Sequence, residues 1–292
     1  MPLNALLLVL AAALLHALWN MAAKHAGGDH RFAFVSSVLI AVLWAPAAWW
    51  WGADEVPHWG AAQWAAVTGS AAVHVVYFLT LLRGYREADL TVVYPVARGS
   101  GPLVTACVAT VLFGEPVSPL TVAGVLGVCG GVFLIAGGPG LWRGDQGSAA
   151  QARLHAGLRW GGATGLLIAC YSVLDGYAVK LLLMGPVVFD YLGNVLRIPM
   201  QLPLVWGDGA GLRHALRTQW RYALVVATLG PLAYMLVLFA VKLAPLSHVA
   251  PAREVSMLLA ALIGGRLLGE HNRGSRLLGA ACITAGVVAL AL

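Results

Sequence analysis

The sequence predicts an all-α polytopic membrane protein of ten transmembrane helices in two inverted five-helix repeats. Three observations carry this expectation. The 292 residues are 60% hydrophobic and only 10% charged, with a mean hydropathy of +0.81. Soluble domains are about 25% charged, so this chain lacks the polar surface to cover a soluble fold. Apolar runs of about 20 residues, the length that crosses a bilayer, recur from end to end. Finally, Val96-Ala97-Arg98-Gly99-Ser100, running on to Leu112-Phe113-Gly114-Glu115, returns 155 residues later. The second copy reads Pro251-Ala252-Arg253-Glu254-Val255, running on to Leu267-Leu268-Gly269-Glu270. The register continues with Gly124 on Gly279 and Gly131 on Gly286. One unit has been built twice.

The expected spans lie near residues 3–23, 32–52, 60–82, 90–113, 118–137, 157–180, 187–207, 220–241, 247–268 and 274–292. The first follows Met1-Pro2-Leu3-Asn4, which lacks the basic region of a signal peptide, so it reads as a retained span. It carries His16, Trp19 and Asn20 on one face. The second ends in Trp49, Trp50 and Trp51, as interfacial belts do. The third holds His74 and Tyr77, and the fourth holds Arg98. Tyr94-Pro95 precedes that arginine and Gly99-Ser100-Gly101-Pro102 follows it, so an irregular helix is expected there. Gly127 and Gly131 give the fifth span a ridge of small residues, of the kind that lets helices approach closely in lipid.

Residues 138–156, rich in Gly, Ser, Gln and Arg, read as a linker between repeats at 1–137 and 157–292. Span six repeats the small-residue ridge with Gly157, Gly161 and Gly165. It then presents Tyr171, Leu174 and Asp175 where span one has His16, Trp19 and Asn20. Span seven sets Asp190, Asn194 and Arg197 on one face, and an Asp190–Arg197 pair is expected. Tyr234 in span eight is the counterpart of Tyr77. Span nine holds Arg253 and Glu254 after Pro245 and Pro251, and span ten carries Gly279 and Gly286. Cys107, Cys129, Cys170 and Cys282 have no ligand-like spacing and read as small core residues.

Five helices per repeat, an odd number, turn the second copy upside down. The connection charges follow suit. Lys24, Arg31, Arg83, Arg86, Arg143, Arg153, Arg159, Arg213, Arg217, Arg221, Arg266, Arg273 and Arg276 fall on one side, and only Lys180 and Lys242 on the other. The positive-inside rule makes the rich side cytoplasmic and both termini periplasmic.

These features together resemble the EamA-type transporters of the drug/metabolite transporter superfamily. The resemblance rests on His16-Ala17-Leu18-Trp19-Asn20, the Arg98 and Arg253 segments, and the twin Gly-Glu ends at Glu115 and Glu270. It covers essentially the whole chain. It implies a secondary carrier for small metabolites, commonly an exporter of amino acids or related compounds, working by alternating access.

A charge at the bilayer centre costs at least a few kcal/mol, so each buried one needs a partner or a polar cavity. Arg98 and Arg253 occupy equivalent places in inverted halves and should meet at the midplane, where such transporters build their sites. The guanidinium fork suits carboxylate or phosphate. Glu254 and Asp175 are the internal counterions, or hold a substrate amine or a proton. Arg98 is the expected anchor for an anionic group, with Arg253 paired to Glu254 or Asp175. His16, Trp19, Asn20, Tyr77, Tyr94, Ser100, Tyr171 and Tyr234 complete the expected lining of a cavity between spans one, three, four, six, eight and nine. Glu115 and Glu270, at span ends before the next helix, read as structural partners of a helix dipole.

No hydrolase, metalloprotease or phosphate-loop motif occurs, so neither an enzyme nor a resident metal or cofactor is expected. No contiguous basic face suits nucleic acid. The sequence therefore points to a multi-pass transporter of the bacterial inner membrane, its partners being lipids and a small molecule with an anionic group. Proton coupling and uniport both fit. The rivals are a carrier of phosphorylated metabolites or nucleotide-sugars, and an intramembrane lipid-handling protein or enzyme.

Overall fold

The computed structural model describes residues 1–88, 90–135, 148–264 and 273–292, which are mainly helical, with no strand among them. The helices are α1 (Leu3–Ala26), α2 (His30–Gly52), α3 (Ala61–Glu87), α4 (Leu90–Phe113), α5 (Pro119–Ile135), α6 (Ser148–Lys180), α7 (Pro186–Val205), α8 (Gly209–Leu243), α9 (Leu246–Ala252), α10 (Val255–Gly264) and α11 (Arg273–Ala291). Six are long and apolar enough to cross a membrane: α1, α2, α3, α4 from Val92, α6 from Gln151, and α8. Helix α5 and residues Leu277–Ala291 of α11 are shorter apolar helices. Trp49, Trp50 and Trp206 stand exposed at helix ends, as amphipathic rings at a headgroup boundary do.

Local chemistry sets the helix ends. Gly27 takes a left-handed φ of 59° and its N–H reaches back to Ala23 and Lys24, closing α1; only glycine adopts that conformation without strain. Asp29 then caps α2 by accepting from the N–H groups of Arg31 and Phe32, and Asp208 caps α8 through Gly211. Gly114, with φ 63°, ends α4 in the same left-handed way.

Each expected span falls on a helix, the ninth on two, and three expectations need correcting. The helix around Arg98 is continuous; the break comes in the other copy, at Arg253-Glu254, between α9 and α10. Pro251 cannot donate a backbone bond. Through the break the chain tightens to three-residue turns, Glu254 N to Pro251 O and Met257 N to Glu254 O, each 2.9 Å. In α4 each proline removes one bond, and close packing on α6 holds the rest. Secondly, Ser148 to Ala156 and Gly209 to Gln219, expected as linker and connection, extend α6 and α8. Thirdly, the four cysteines are free thiols, and Cys107 and Cys170 are exposed rather than core residues, whereas Cys129 does pack against the core. The Gly269-Glu270 end, Arg266 and linker residues 136–147 lie outside the described residues.

Helix pairing is reciprocal between α1–α5 and α6–α11. Helix α1 packs on α8 as α3 packs on α6, α4 on α6 as α1 on α10, and α2 on α8 as α3 on α7. Three further pairs, α2 with α7, α4 with α9 and α5 with α11, join equivalent elements. At the last crossing, a Cβ on Gly131 would stand 2.6 Å from the Gly279 carbonyl oxygen, and one on Gly286 2.7 Å from that of Gly124. Position numbers rise along one helix as they fall along the other, so the two run antiparallel.

Candidate functional site

The contact between equivalent helices α4 and α9 brings the two arginines to one place. Arg98 Nε lies 3.0 Å from Glu254 Oε2, and Arg253 Nε lies 3.8 Å from Glu254 Oε1. One carboxylate thus sits between two guanidiniums, each from a different half of the chain. Side-chain exposure is 11% for Arg98 and 1% for Glu254. At that depth two unscreened cations would repel strongly, and the carboxylate offsets this. The approach is a charge contact rather than an aligned bond, since Arg98 Nε, Arg253 Nε and both Glu254 oxygens have no hydrogen-bond partner. Arg98 Nη2 also reaches Ser256 Oγ at 3.3 Å. Arg98, expected as a free anchor with Glu254 left to Arg253, is itself Glu254's nearer partner. The helix break presents Glu254: with α9 and α10 as one regular helix, the adjacent side chains of Arg253 and Glu254 would point about 100° apart.

Beside this triad lies an aromatic and acidic group. Asp175, 1% exposed, accepts from the Tyr234 hydroxyl, while its Oδ1 has no partner. His74 stacks on Tyr171 with ring centres 4.2 Å apart. Tyr77 meets Tyr171 edge-on at 5.6 Å, and Tyr234 meets His74 edge-on at 6.0 Å. His74 Nδ1 is 2.9 Å from the Ser70 carbonyl. Tyr234, Ser172 and Arg253 share the wall of a cavity of about 10 Å³, room for one water at most. The space beside the triad is small in this conformation, and α1, α3, α4, α6, α8 and the α9–α10 break supply the residues around it.

The remaining expected residues divide. On α1, Trp19 Nε1 donates to His16 Nδ1 at 3.3 Å and the Asn20 amide donates to the His16 carbonyl at 2.7 Å. The charges of Arg98 and Arg253 both act on His16, and Tyr77, Tyr94 and Tyr171 stand near Arg98. Ser100 turns away: its hydroxyl donates to the Val96 carbonyl at 2.6 Å. A Cβ on Gly165 would fall 2.0 Å from that oxygen, so Ser100 is part of the α4–α6 seam. The expected Asp190–Arg197 pair is absent. Arg197 Nη1 donates instead to Asn194 Oδ1 at 3.2 Å, and the Asn194 amide to the Asp190 carbonyl at 2.8 Å. Residues i and i+7 sit two turns apart, and the shorter Asn194 fills the gap.

Ser256 and Ser172 escaped the sequence reading. An apolar run hides a small hydroxyl, and only the position two residues beyond Glu254 marks Ser256. A larger cavity of about 630 Å³ lies elsewhere, lined by apolar residues of α4 and α6 such as Val104, Val108, Leu166 and Cys170. It offers no charge to recognise a polar solute.

Comparison with known proteins agrees with this architecture. The model of the EamA-like transporter family matches the chain twice, over residues 3–137 and 157–292. A solved structure titled only "Crystal structure of protein" superposes with a TM-score of 0.73, covering 99% of this chain and 96% of its own, at 17% identity. At that identity the likeness speaks for the fold alone.

Proposed function

The chain belongs to the EamA-like transporter family, and from that premise we propose a secondary carrier that exports amino acids or related small metabolites bearing an anionic group. Membership makes it a multi-pass membrane transporter rather than an enzyme. The finer reading rests on one observation, the Glu254 carboxylate held between Arg98 and Arg253.

In this reading the arginines are the anchor and Glu254 occupies it in the closed state. Breaking a buried ion pair without replacement costs about 3–5 kcal/mol, so Arg98 and Glu254 stay together until another anion arrives or Glu254 takes a proton. A substrate carboxylate supplies the replacement. Its arrival frees Glu254, which sits at the break in span nine, and lets the two halves rock about the site. Protonation of Glu254 would free Arg98 as well, which gives export a route to proton coupling. The ten spans form two inverted five-helix repeats, at 1–137 and 157–292, in the bacterial cytoplasmic membrane. The basic connections face the cytoplasm and the termini the periplasm. The reciprocal pairing and the antiparallel α5–α11 crossing support that arrangement.

The test is counterflow in proteoliposomes, screened with amino acids, sugar phosphates and nucleotides after thermal-shift selection. Arg98→Ala should lower counterflow of the selected anion at least tenfold, as the loss of one charge-assisted contact implies, while leaving a folded protein. Undiminished transport would contradict the anchor assignment.

A further inference from the structure

Resting on that reading of Arg98 and Arg253, we propose that Asp175, with the rings of His74, Tyr77, Tyr171 and Tyr234, forms a second subsite that takes an ammonium group of the same substrate.

The charge count comes first. Arg98, Arg253, Glu254 and Asp175 are all buried or nearly so, two cations against two anions. The neighbouring Asp190 and Arg197 balance each other. A monoanion entering this closed, neutral group adds an uncompensated charge at a depth where that is costly. A zwitterion adds none: its carboxylate takes the place of Glu254 on the guanidiniums and its ammonium balances it against the Asp175 carboxylate.

Asp175 has the right vacancy. A carboxylate offers about four acceptor positions. Tyr234 uses one oxygen, the Ser70 hydroxyl stands beside the carboxylate, and Oδ1 is buried without a bond of good geometry. No Lys or Arg lies within ion-pair distance of Asp175 among the described residues. An ammonium group carries three donors and the opposite charge. The rings add to this, since aromatic faces within about 6 Å attract a desolvated cation, and Tyr171 stacks with His74 while Tyr77 meets it edge-on. The subsites adjoin: the ring of Tyr234, whose hydroxyl is on Asp175, shares a cavity wall with Arg253.

The repeat makes the arrangement directional. The positions equivalent to Tyr171 and Asp175 are His16 and Asn20. There the Asn20 amide is already engaged by the His16 carbonyl and the His16 ring by Trp19. Only the second half offers a carboxylate, so a substrate with two unlike ends lies one way round.

The experiment measures binding to the purified full chain by thermal shift and calorimetry. The probes are the twenty common amino acids, their N-acetyl derivatives and the corresponding decarboxylated amines. The expected result is that at least one amino acid binds and both of its single-charge relatives bind at least tenfold more weakly. Asp175→Asn should bind the amino acid at least tenfold more weakly while holding the N-acetyl derivative as well as the wild type does. An N-acetyl derivative that binds the wild type as tightly as its parent overturns the ammonium subsite. If Arg98→Ala still abolishes that binding, the arginine anchor stands without it. Binding of the amines alone, with no requirement for Arg98, overturns both readings. A wild type that binds none of the amino acids overturns the subsite too. The wild-type comparisons need no variant and hold even if Asp175→Asn does not fold.

Discussion

Glu115 illustrates how a single side chain joins the two halves. It is buried, and its oxygens accept from Leu246 N at 2.6 Å, Ser247 N at 2.8 Å and Lys180 Nζ at 3.0 Å. The sequence marked it as a helix-dipole partner of the span that follows it. The role is right and the helix is another one: Glu115 satisfies the first N–H groups of α9, more than 100 positions away in sequence. No local pattern announces a cap supplied from a distance. Burial pushes this carboxyl up, but the N–H groups of Ser247 and Leu246 and the Lys180 ammonium outweigh it and hold it below the ordinary glutamate range. A group whose folded value is depressed adds stability that is present above its unfolded value, about 4.3, and lost as pH falls through the folded one. Glu115→Ala should cost about 1.5–3 kcal/mol of stability at neutral pH, read from thermal unfolding in detergent. The gap between wild type and Glu115→Gln should close as pH drops below about 4. A gap that persists in acid would remove Glu115 from this role.

At the scale of helices, the sequence was legible wherever one periodic property decided the outcome. Length and hydropathy located the six helices long and apolar enough to cross a membrane, and the small-residue ridges located the tight crossings. Gly157, Gly161 and Gly165 face Val92, Val96 and Ser100 of α4, and Gly131 faces Gly279 of α11. What the sequence did not reveal was which of two proline-bearing copies would break. Pro95 and Pro102 lie in a helix supported along its length by the α6 ridge, whereas Pro251 ends a seven-residue helix whose next turn carries two buried charges. The outcome depended on neighbours, not propensity. The α5–α11 crossing gives a direct prediction. Gly131→Ala would place a methyl group 2.6 Å from a backbone oxygen, and overpacking of this kind costs about 1–3 kcal/mol. Gly130→Ala meets nothing within 4 Å and should leave thermal stability unchanged. Equal effects of the two would mean that the crossing is looser than its geometry.

For the whole molecule, the repeat pointed to Arg98 and Arg253 as equivalent residues that would meet, and both do reach Glu254. It could not announce the arrangement at the meeting point. Glu254 and Ser256 have Gly99 and Gly101 as their counterparts, so the contacts that complete the site are where the two copies differ. The closed cavity of about 10 Å³ is likewise a property of one conformation of the assembled bundle. In the proposed cycle this arginine triad lies at the midplane and opens to each side in turn. Ser256, 3% exposed and touching Arg98, reports on it. In a background with Cys107, Cys129, Cys170 and Cys282 replaced by Ala, the thiol of a Ser256→Cys variant can be challenged by a membrane-impermeant reagent from either face of the membrane. Alternating access predicts labelling from both faces, slowed from each by the substrate. Labelling from one face only, or from neither, would contradict it.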